Sequence, residues 1–264
     1  MPVLVTGATG MVGRALLARL LREGGEVRAL VRRDDPGARA QGVHLAIGDA
    51  LDVPKLESAL TRVHTIVHLI GGLFPGRGVS YDDLNRDFTE AAVIAARAAE
   101  VRRFIFLSYL GADPEAENEF LAAKGKAEEH IKAGGFEYAI FRCAPIAEGL
   151  PATIEQLKRG PLLGMPGSGR QRITPVSLAD VVEVLVAADR REAEVRGVWE
   201  LGGPDEMSFA EAVTMSGVGG RVVPLGPIAR APKTVVELLA RDLVADTGPA
   251  AAQFGLRLRP VAAR

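Results

Sequence analysis

The sequence of 264 residues lacks several features that mark whole classes of protein. Its single cysteine, Cys143, excludes an intramolecular disulfide and a metal site with several cysteine ligands. This cysteine lies in the apolar run 138–146, which favours a buried core residue over a reactive thiol. No apolar stretch approaches the ~20 residues of a membrane span, and residues 3–5 lead into a glycine motif instead of a signal peptide's long apolar segment. We therefore expect a cytoplasmic protein without a membrane span.

The sequence also lacks an excess of charge of one sign. It has 32 basic and 33 acidic residues, with a net charge of −1. A nucleic-acid surface would need a clustered basic excess, whereas the arginine pairs at 32–33 and 102–103 are local. The four histidines show no spacing that indicates a metal site or a catalytic triad. We expect no nucleic-acid partner and no metal.

Short β-rich runs alternate with helical patterns through the first half of the chain. Strands are predicted at residues 3–6, 26–31, 44–47, 63–70, 103–107 and 137–142. Helices are predicted at residues 11–22, 83–100 and 115–133, and glycine pairs follow the first and the last of them. This alternation indicates parallel βαβ units, whose ligands lie beyond the carboxyl ends of the strands. We therefore predict an α/β fold with a doubly wound, Rossmann-type parallel sheet over residues 1–145.

The pattern changes after residue 145. Proline and glycine cluster through residues 161–169, and a helix near 178–188 and a strand at 198–201 follow. Another helix is predicted from Ser208, and the basic and apolar segment 227–243 has a helical pattern. We predict that residues 146–264 form a small C-terminal α/β lobe that closes over the crevice.

The strongest motif is a glycine turn between the first predicted strand and the first predicted helix. Gly7 allows a tight turn, Gly10 lets the backbone approach a pyrophosphate, and Gly13 lets the helix pack closely on the sheet. The helix N-terminus then presents unpaired N–H groups and a positive dipole end to phosphates. The motif predicts dinucleotide binding, with contacts from Gly7, Thr9, Gly10, Met11, Val12 and Gly13.

The end of the second predicted strand bears on which dinucleotide is bound. An NAD site places an acid there for the ribose 2′-hydroxyl, but this chain has Arg32 and Arg33. A guanidinium can pair with a 2′-phosphate and stack on adenine, which favours NADP, with NAD still possible. The alternative is that both arginines are solvated and screened by Asp34 and Asp35.

The turn and its surroundings resemble the extended and atypical branches of the short-chain dehydrogenase/reductase superfamily. The resemblance covers about residues 3–215 and is closest to the atypical group that includes the reductase-like accessory subunit of respiratory complex I and the NmrA-like proteins. The landmarks that carry it, besides the glycine turn, are Gly48-Asp49, His68-Leu69-Ile70-Gly71-Gly72, Asn85, Arg142, Pro145, Pro175-Val176, Asp180 and Leu201-Gly202-Gly203-Pro204. The resemblance places Asp49 beside the adenine and implies further cofactor contacts from Ala50, Leu69, Ile70, Gly71, Lys124 and Pro145.

The resemblance also shows where catalytic residues should lie. Enzymes of this superfamily use a Tyr-x-x-x-Lys pair after the fifth strand, and a serine or threonine at the end of that strand. Here Lys124 is present but Phe120 occupies the tyrosine position. The serine position falls at Tyr109 or, with a shift of one residue, at Ser108. We take Tyr109, Ser108 and Lys124 as catalytic candidates, with Tyr81 as another hydroxyl that could face the crevice.

Two functions from different classes follow. The first is an NADP(H)-dependent oxidoreductase of a small carbonyl or quinone-like substrate, in which Tyr109, Tyr81 or water supplies the proton. The second is a binding protein, a redox sensor or assembly factor that holds NADP(H) and uses the C-terminal lobe for a protein partner. A nucleotide-sugar epimerase is a weaker third possibility, because it would need the missing tyrosine.

Overall fold

The computed structural model of the chain describes residues 2–224 and 231–261. Its strands are β1 (Val3–Thr6), β2 (Val27–Val31), β3 (His44–Ile47), β4 (Thr65–His68), β5 (Arg103–Tyr109), β6 (Glu137–Cys143), β7 (Lys158–Arg159), β8 (Leu162–Met165), β9 (Arg172–Ile173), β10 (Arg196–Leu201), β11 (Met207–Ser208) and β12 (Arg221–Pro224). Its α-helices are α1 (Met11–Arg22), α2 (Pro36–Ala40), α3 (Val53–Leu60), α4 (Phe88–Ala98), α5 (Glu119–Lys132), α6 (Leu150–Glu155), α7 (Leu178–Arg190), α8 (Phe209–Met215), α9 (Lys233–Leu239) and α10 (Gly248–Phe254).

Seven strands form one parallel sheet in the order β10-β6-β5-β4-β1-β2-β3. Val3 in β1 is paired with Val27 in β2 on one side and with Thr65 in β4 on the other. The chain therefore leaves β1 in one direction for β2 and β3, and in the other for β4 and the strands that follow. The predicted doubly wound architecture is confirmed. A crevice is expected outside the carboxyl ends of β1 and β4, where the order reverses.

The helices that begin differently from the predictions do so for identifiable local reasons. The Asn118 side chain accepts a hydrogen bond from Leu121 N, so α5 begins at Glu119 instead of 115. The segment predicted as one helix over 83–100 opens with a π-helix, Asp82–Asp87, before α4. The predictions missed the short helices α2 and α3. Each of them begins after an aspartate N-cap and has a proline in its first turn.

The chain forms two compact units. The first contains the residues up to Arg142 together with Val181–Trp199, and the second contains Cys143–Asp180 and the chain from Glu200 onward. The predicted boundary at 145/146 assigns Val181–Trp199 to the C-terminal lobe, so the two divisions differ. The reason is that β10 pairs with β6 in the central sheet, which brings much of α7 and β10 into the first unit.

The second unit contains two small sheets. β8 pairs with β12 in parallel and with β7 in an antiparallel manner, and β9 pairs with β11. A capping box between Ser208 and Glu211 starts α8 as predicted. The predicted helical segment 227–243 begins outside the described residues, and within it α9 spans Lys233–Leu239. No helix in the described part of the chain is long and apolar enough to cross a membrane.

Candidate functional site

The three glycines of the turn after β1 have different structural roles. Gly7 has a φ of +67°, and a Cβ there would lie 2.7 Å from the carbonyl carbon of Leu69. A Cβ at Gly13 would lie 2.3 Å from Gly7 O, so α1 could not pack as closely on the turn. At Gly10 the nearest described atom to a built Cβ is Gly7 O, at 3.3 Å. Protein packing therefore requires Gly7 and Gly13, whereas Gly10 leaves space that a ligand could use.

The N-terminus of α1 is open to an anion. Gly10 is its N-cap residue, no side chain caps the helix, and its first turn contains no acidic residue. The first N–H groups of a helix lack partners inside the helix, and the helix dipole gives this end partial positive charge. The turn and the helix end therefore fit the pyrophosphate of a dinucleotide.

A groove with a volume of about 330 Å³ lies beside this turn, entirely within the first unit. Nine of the predicted cofactor-binding residues line it: Gly7, Thr9, Gly10, Arg32, Asp49, Ala50, Leu69, Ile70 and Gly71. The groove is also lined by five residues that were not predicted: Leu30, Val31, Gly48, Leu84 and Phe88. For Leu84 and Phe88 the available signal was their apolar i,i+4 spacing at the start of the helix predicted at residues 83–100, the first helix after Gly71-Gly72.

Asp49 and Ala50 form the wall of the groove after β3. Asp49 Oδ1 accepts a hydrogen bond of 2.9 Å from Leu51 N, which closes the turn that leads to α3. Ala50 is buried. The Asp49 side chain is thus fixed by its own turn on the groove wall.

A second cavity, of about 520 Å³, adjoins the groove and shares Thr9, Val31 and Arg32 with it. Arg33 lines only this second cavity. The nearby acids have other partners: Asp34 pairs with Arg39 at 2.6 Å, and Asp35 caps α2 through Ala38 N at 3.0 Å.

Arg32 and Arg33 are both exposed, and neither makes a hydrogen bond or an ion pair within residues 2–224 and 231–261. The alternative raised from the sequence, two solvated arginines screened by Asp34 and Asp35, stays open, because both arginines are exposed and both aspartates line the same cavity without an ion pair to them. Two guanidinium groups remain available to an anion on this side of the groove.

Lys124 places a buried positive charge next to the groove. A Cβ built at Gly71, on the groove wall, would lie 2.9 Å from Lys124 Nζ. The ammonium donates a hydrogen bond of 3.2 Å to Leu107 O and lies 4.6 Å from the centre of the Phe106 ring. Burial lowers its pKa to about 8, an effect that the charge of Glu128 partly opposes. An ammonium has three hydrogen-bond donors, and those not used by Leu107 O could bind the hydroxyl groups of a ribose.

His68, at the end of β4, is a structural residue. Its two ring nitrogens contact hydroxyls, Nδ1 with Thr6 Oγ1 at 2.9 Å and Nε2 with Thr89 Oγ1 at 3.3 Å. The ring is fully buried, and burial together with the charge of Lys124 lowers its pKa to about 3. The neutral imidazole therefore links β1 to α4, in agreement with the packed role that its strand-end position suggests.

Asn85, in the π-helix, fixes the glycine turn that follows β4. Its Oδ1 accepts a hydrogen bond from Gly72 N at 3.0 Å, and its Nδ2 donates to the carbonyls of Gly72 and Tyr81. The side chain is fully buried, and its oxygen lies 2.8 Å from a Cβ built at Gly71. Asn85 and Lys124 thus flank the same stretch of groove wall, and π-helical turns often occur at functional sites.

Phe120, at the expected tyrosine position, lies between two tyrosines. Its ring is 2% exposed and makes edge contacts with Tyr109, at a centroid distance of 5.2 Å, and with Tyr81, at 6.0 Å. The Tyr81 hydroxyl donates to Leu73 O at 3.1 Å. Tyr109 is half-buried, at the carboxyl end of β5. Both candidate tyrosines thus contact the ring that occupies the expected tyrosine position.

Ser108 belongs to a different group of side chains. Its hydroxyl donates a hydrogen bond of 2.7 Å to Oε1 of Glu128, a fully buried carboxylate. Glu128 also accepts two hydrogen bonds from Arg142 and pairs with Lys132. The Ser108 hydroxyl is therefore held by a buried ion-pair cluster, which makes it a weaker catalytic candidate than Tyr109.

The remaining predicted residues lie outside the two cavity walls described above. Met11 is exposed at the first position of α1, Val12 follows it, and Gly13 is buried against the turn. Their backbone N–H groups, not their side chains, are the features that the turn motif uses. Pro145 lies in the second unit, where its carbonyl accepts a hydrogen bond from Val176 N at 3.0 Å.

Comparison with known proteins gives a family and a fold. A family model described as NAD(P)H-binding matches residues 7–190. The chain is 28% identical over 220 residues to the mitochondrial NADH dehydrogenase (ubiquinone) 1 alpha subcomplex subunit 9 of Arabidopsis thaliana, which covers 78% of this chain and 55% of that protein. It is 33% identical over 208 residues to the ceramide reductase of Caulobacter vibrioides, which covers 75% and 63%. The chain thus spans about half to two thirds of the length of these relatives.

Solved structures agree with the architecture. A nucleoside-diphosphate-sugar epimerase from Staphylococcus aureus superimposes with a TM-score of 0.79 at 18% identity, over 100% of this chain and 99% of the other. At this identity the likeness shows the fold alone.

Proposed function

The chain belongs to the family of NAD(P)H-binding proteins, and on that premise we propose that it is an NADP(H)-dependent oxidoreductase of a small carbonyl or quinone-like compound. The observation that carries the proposal is the buried ammonium of Lys124 beside the groove wall at Gly71. A charge buried at a cost in stability, next to a groove, marks a candidate functional position. A relative named as a ceramide reductase supports a reductive reaction.

The preference for NADP rests on the charges at the end of β2. Arg32 and Arg33 line the cavity next to the groove, while Asp34 is paired with Arg39. A 2′-phosphate would meet two guanidinium groups there, beside the carboxylates of Asp34 and Asp35, which line the same cavity. Directly after β2, arginine stands where NAD sites place an acid. These residues fit NADP better than NAD.

The bound cofactor would supply the hydride, and residues of this chain would hold the cofactor and supply the proton. Lys124 would hold the ribose hydroxyls, because its ammonium has donors to spare beyond Leu107 O. Tyr109 would supply the proton to the substrate oxygen, since its ring contacts Phe120, one helical turn from Lys124. The positive charge of Lys124 favours the phenolate and lowers the barrier to that transfer.

The test is NADPH oxidation over a panel of carbonyls and quinones, with wild type beside Tyr109→Phe. We expect turnover to fall by about 10²–10⁴-fold in Tyr109→Phe, with the Kd for NADPH unchanged, because general acid help is lost and binding is not. Tyr138→Phe is the matched control, because Tyr138 lies in β6 with Arg196 over its ring. Vigorous wild-type turnover that survives in Tyr109→Phe would show that another group supplies the proton.

A second candidate function is an NADP(H)-binding protein without turnover, such as a redox sensor or assembly factor. Two observations favour it: Phe120 brings no hydroxyl to the usual position, and the Ser108 hydroxyl is held by Glu128. A relative that is named as a subunit of an NADH dehydrogenase complex supports a protein partner. Tight NADPH binding with no oxidation over the whole panel would favour this function.

A further inference from the structure

The second unit contains two stretches of sequence without any acidic residue, although 33 of the 264 residues of the chain are acidic. These acid-free stretches, residues 156–179 and 212–236, together contain seven basic residues. The first includes β7 and β8, and the second includes β12, which pairs with β8. The fold therefore joins the two stretches in one three-stranded sheet and concentrates positive charge there, in a chain whose net charge is only −1.

Two arginines of this sheet flank its central strand. Arg159 in β7 and Arg221 in β12 are both in register with Leu162 in β8. Residues in register point to the same face of a sheet, and neighbouring strands lie about 5 Å apart, so the two arginines share a face with their Cα atoms about 10 Å apart. Both arginines are exposed, and Leu162 between them is half-buried.

A tight turn holds this arrangement in place. Gly160 and Pro161 connect β7 to β8, both are exposed, and Gly160 has a φ of +60°, which suits the first position of a two-residue hairpin turn. Pro161 O accepts a hydrogen bond of 2.8 Å from Arg221 N, so the turn is also tied to the start of β12. We call residues 159–162 together with Arg221 the basic hairpin surface.

The two arginines of the basic hairpin surface have no acidic partner. Neither Arg159 nor Arg221 forms an ion pair within residues 2–224 and 231–261. Other basic residues of the acid-free stretches are paired, Lys158 with Glu155 at 3.1 Å and Arg172 with Glu206 at 2.8 Å. Two guanidinium groups on one face are thus free to bind anionic groups of a partner, and phosphate is an anion that guanidinium binds in bidentate fashion.

The dimensions of the surface favour a layer of lipid headgroups over a folded protein. A stable protein interface buries about 800 Å² on each partner, whereas this face spans three short strands and is about 10 Å wide. Anionic headgroups need no such area, because each arginine close to a membrane contributes separately. Pro161 and Leu162, between the arginines, are apolar side chains that can enter the interfacial layer.

We propose that the basic hairpin surface binds the headgroups of anionic phospholipids and holds the protein at a membrane surface. The contact is peripheral and reversible, and it is made by side chains of a hairpin turn and an adjoining strand. Because it involves no residue of the cofactor groove, the inference goes beyond the proposed oxidoreductase function and stands or falls separately from it.

The experiment measures sedimentation of the full chain with vesicles of phosphatidylcholine, with and without phosphatidylserine. We expect wild type to partition about thirtyfold more strongly onto the vesicles that contain phosphatidylserine, the effect of two arginines near an anionic surface. The double variant Arg159→Gln/Arg221→Gln should lose this preference and keep the melting temperature of wild type. High salt should also remove the preference, because charges exposed to solvent are screened.

The matched control is Arg22→Gln/Arg257→Gln. Arg22 and Arg257 are exposed arginines outside the acid-free stretches, and neither forms an ion pair within the described residues. This control changes the net charge by the same amount, so it should keep the preference of wild type for phosphatidylserine. An equal loss in the control would assign vesicle binding to net charge and overturn the inference.

Two results for wild type would also overturn the inference. One is equal partitioning onto both kinds of vesicle, or onto neither. The other is binding of poly-L-glutamate that is lost in Arg159→Gln/Arg221→Gln, beside no preference for phosphatidylserine, which would assign the surface to an acidic polypeptide instead.

Discussion

Replacing Lys124 by methionine should have two effects together: the free protein should become more stable, and its binding of the cofactor should become weaker. The ammonium is buried, and its pKa lies near 8 instead of the ordinary 10.5 because burial disfavours the charged form. Each tenfold change in an acid constant corresponds to about 1.4 kcal/mol, so at neutral pH burial costs the charged form on the order of 3 kcal/mol. Methionine fills a similar volume without a charge.

Part of this gain is offset by contacts that methionine cannot make. The hydrogen bond to Leu107 O and the cation–π contact with Phe106 are lost, which together contribute on the order of 1–2 kcal/mol. We therefore expect Lys124→Met to raise the free energy of unfolding at pH 7 by about 1–2 kcal/mol.

The pH dependence follows from the same pKa. Between pH 8 and 10.5 the unfolded lysine still holds a proton that the folded one has released, so the stability of wild type rises with pH in this window. The burial penalty on Lys124 is thus complete below pH 8 and relieved above pH 10.5. The stability difference between Lys124→Met and wild type should shrink accordingly.

Urea denaturation at pH 7 and pH 10, with NADPH titration at pH 7, measures all three effects. Lys126→Met is the control, because that lysine lies two residues further along α5 with 38% of its side chain exposed. Loss of the ribose contact should weaken NADPH by about ten- to a hundredfold in Lys124→Met alone. A Lys124→Met protein that is less stable at pH 7, or whose difference from wild type does not change with pH, would refute the reasoning.

Two further predictions concern the turn and the cofactor preference. Gly10→Val should abolish NADPH binding and leave a folded protein with a moderately lowered melting temperature, because the added Cβ would make one tight contact, 3.3 Å from Gly7 O. Gly13→Val should unfold the protein, because its Cβ would lie 2.3 Å from Gly7 O. Binding by folded Gly10→Val would make the motif a structural turn only. Arg32→Asp should erase or reverse the preference for NADPH, a change of about ten- to a hundredfold in the ratio of Kd values measured by calorimetry. Equal affinity of the wild type for NADPH and NADH would contradict the role of Arg32.

The fold and the family could be predicted from the sequence because their signals are local. The glycine turn directly follows β1, the strands of the first half are short apolar runs, and helical patterns separate β1 from β2, β4 from β5 and β5 from β6. Both predictions are confirmed, the family by the match over residues 7–190. Gly7, Thr9, Gly10 and Arg32 of the groove wall could be named from the glycine turn and the end of β2, because ligands lie beyond the strand ends of a parallel sheet. Asp49, Ala50, Leu69, Ile70 and Gly71 were named through the family resemblance.

The features of the fold and the site that could not be predicted depend on contacts between residues distant in sequence. The pairing of β10 with β6 joins segments separated by more than fifty residues, and no periodicity encodes it. The placement of Phe120 between Tyr81 and Tyr109 requires β5, α5 and the π-helix to be packed together first. The π-helix itself gives the same apolar spacing as the start of an α-helix, so a pattern of side chains could not distinguish them.

The late return of the chain to the first unit has a consequence for its synthesis. β6 is complete once residue 143 has been made, but its neighbour β10 is not complete until residue 201. On the ribosome, β6 is therefore a temporary edge strand, with unpaired N–H and C=O groups that can pair with another chain. A fragment that ends at residue 145 keeps that edge permanently, so expression of residues 1–145 alone should give an aggregating product even though the other six strands of the central sheet are present.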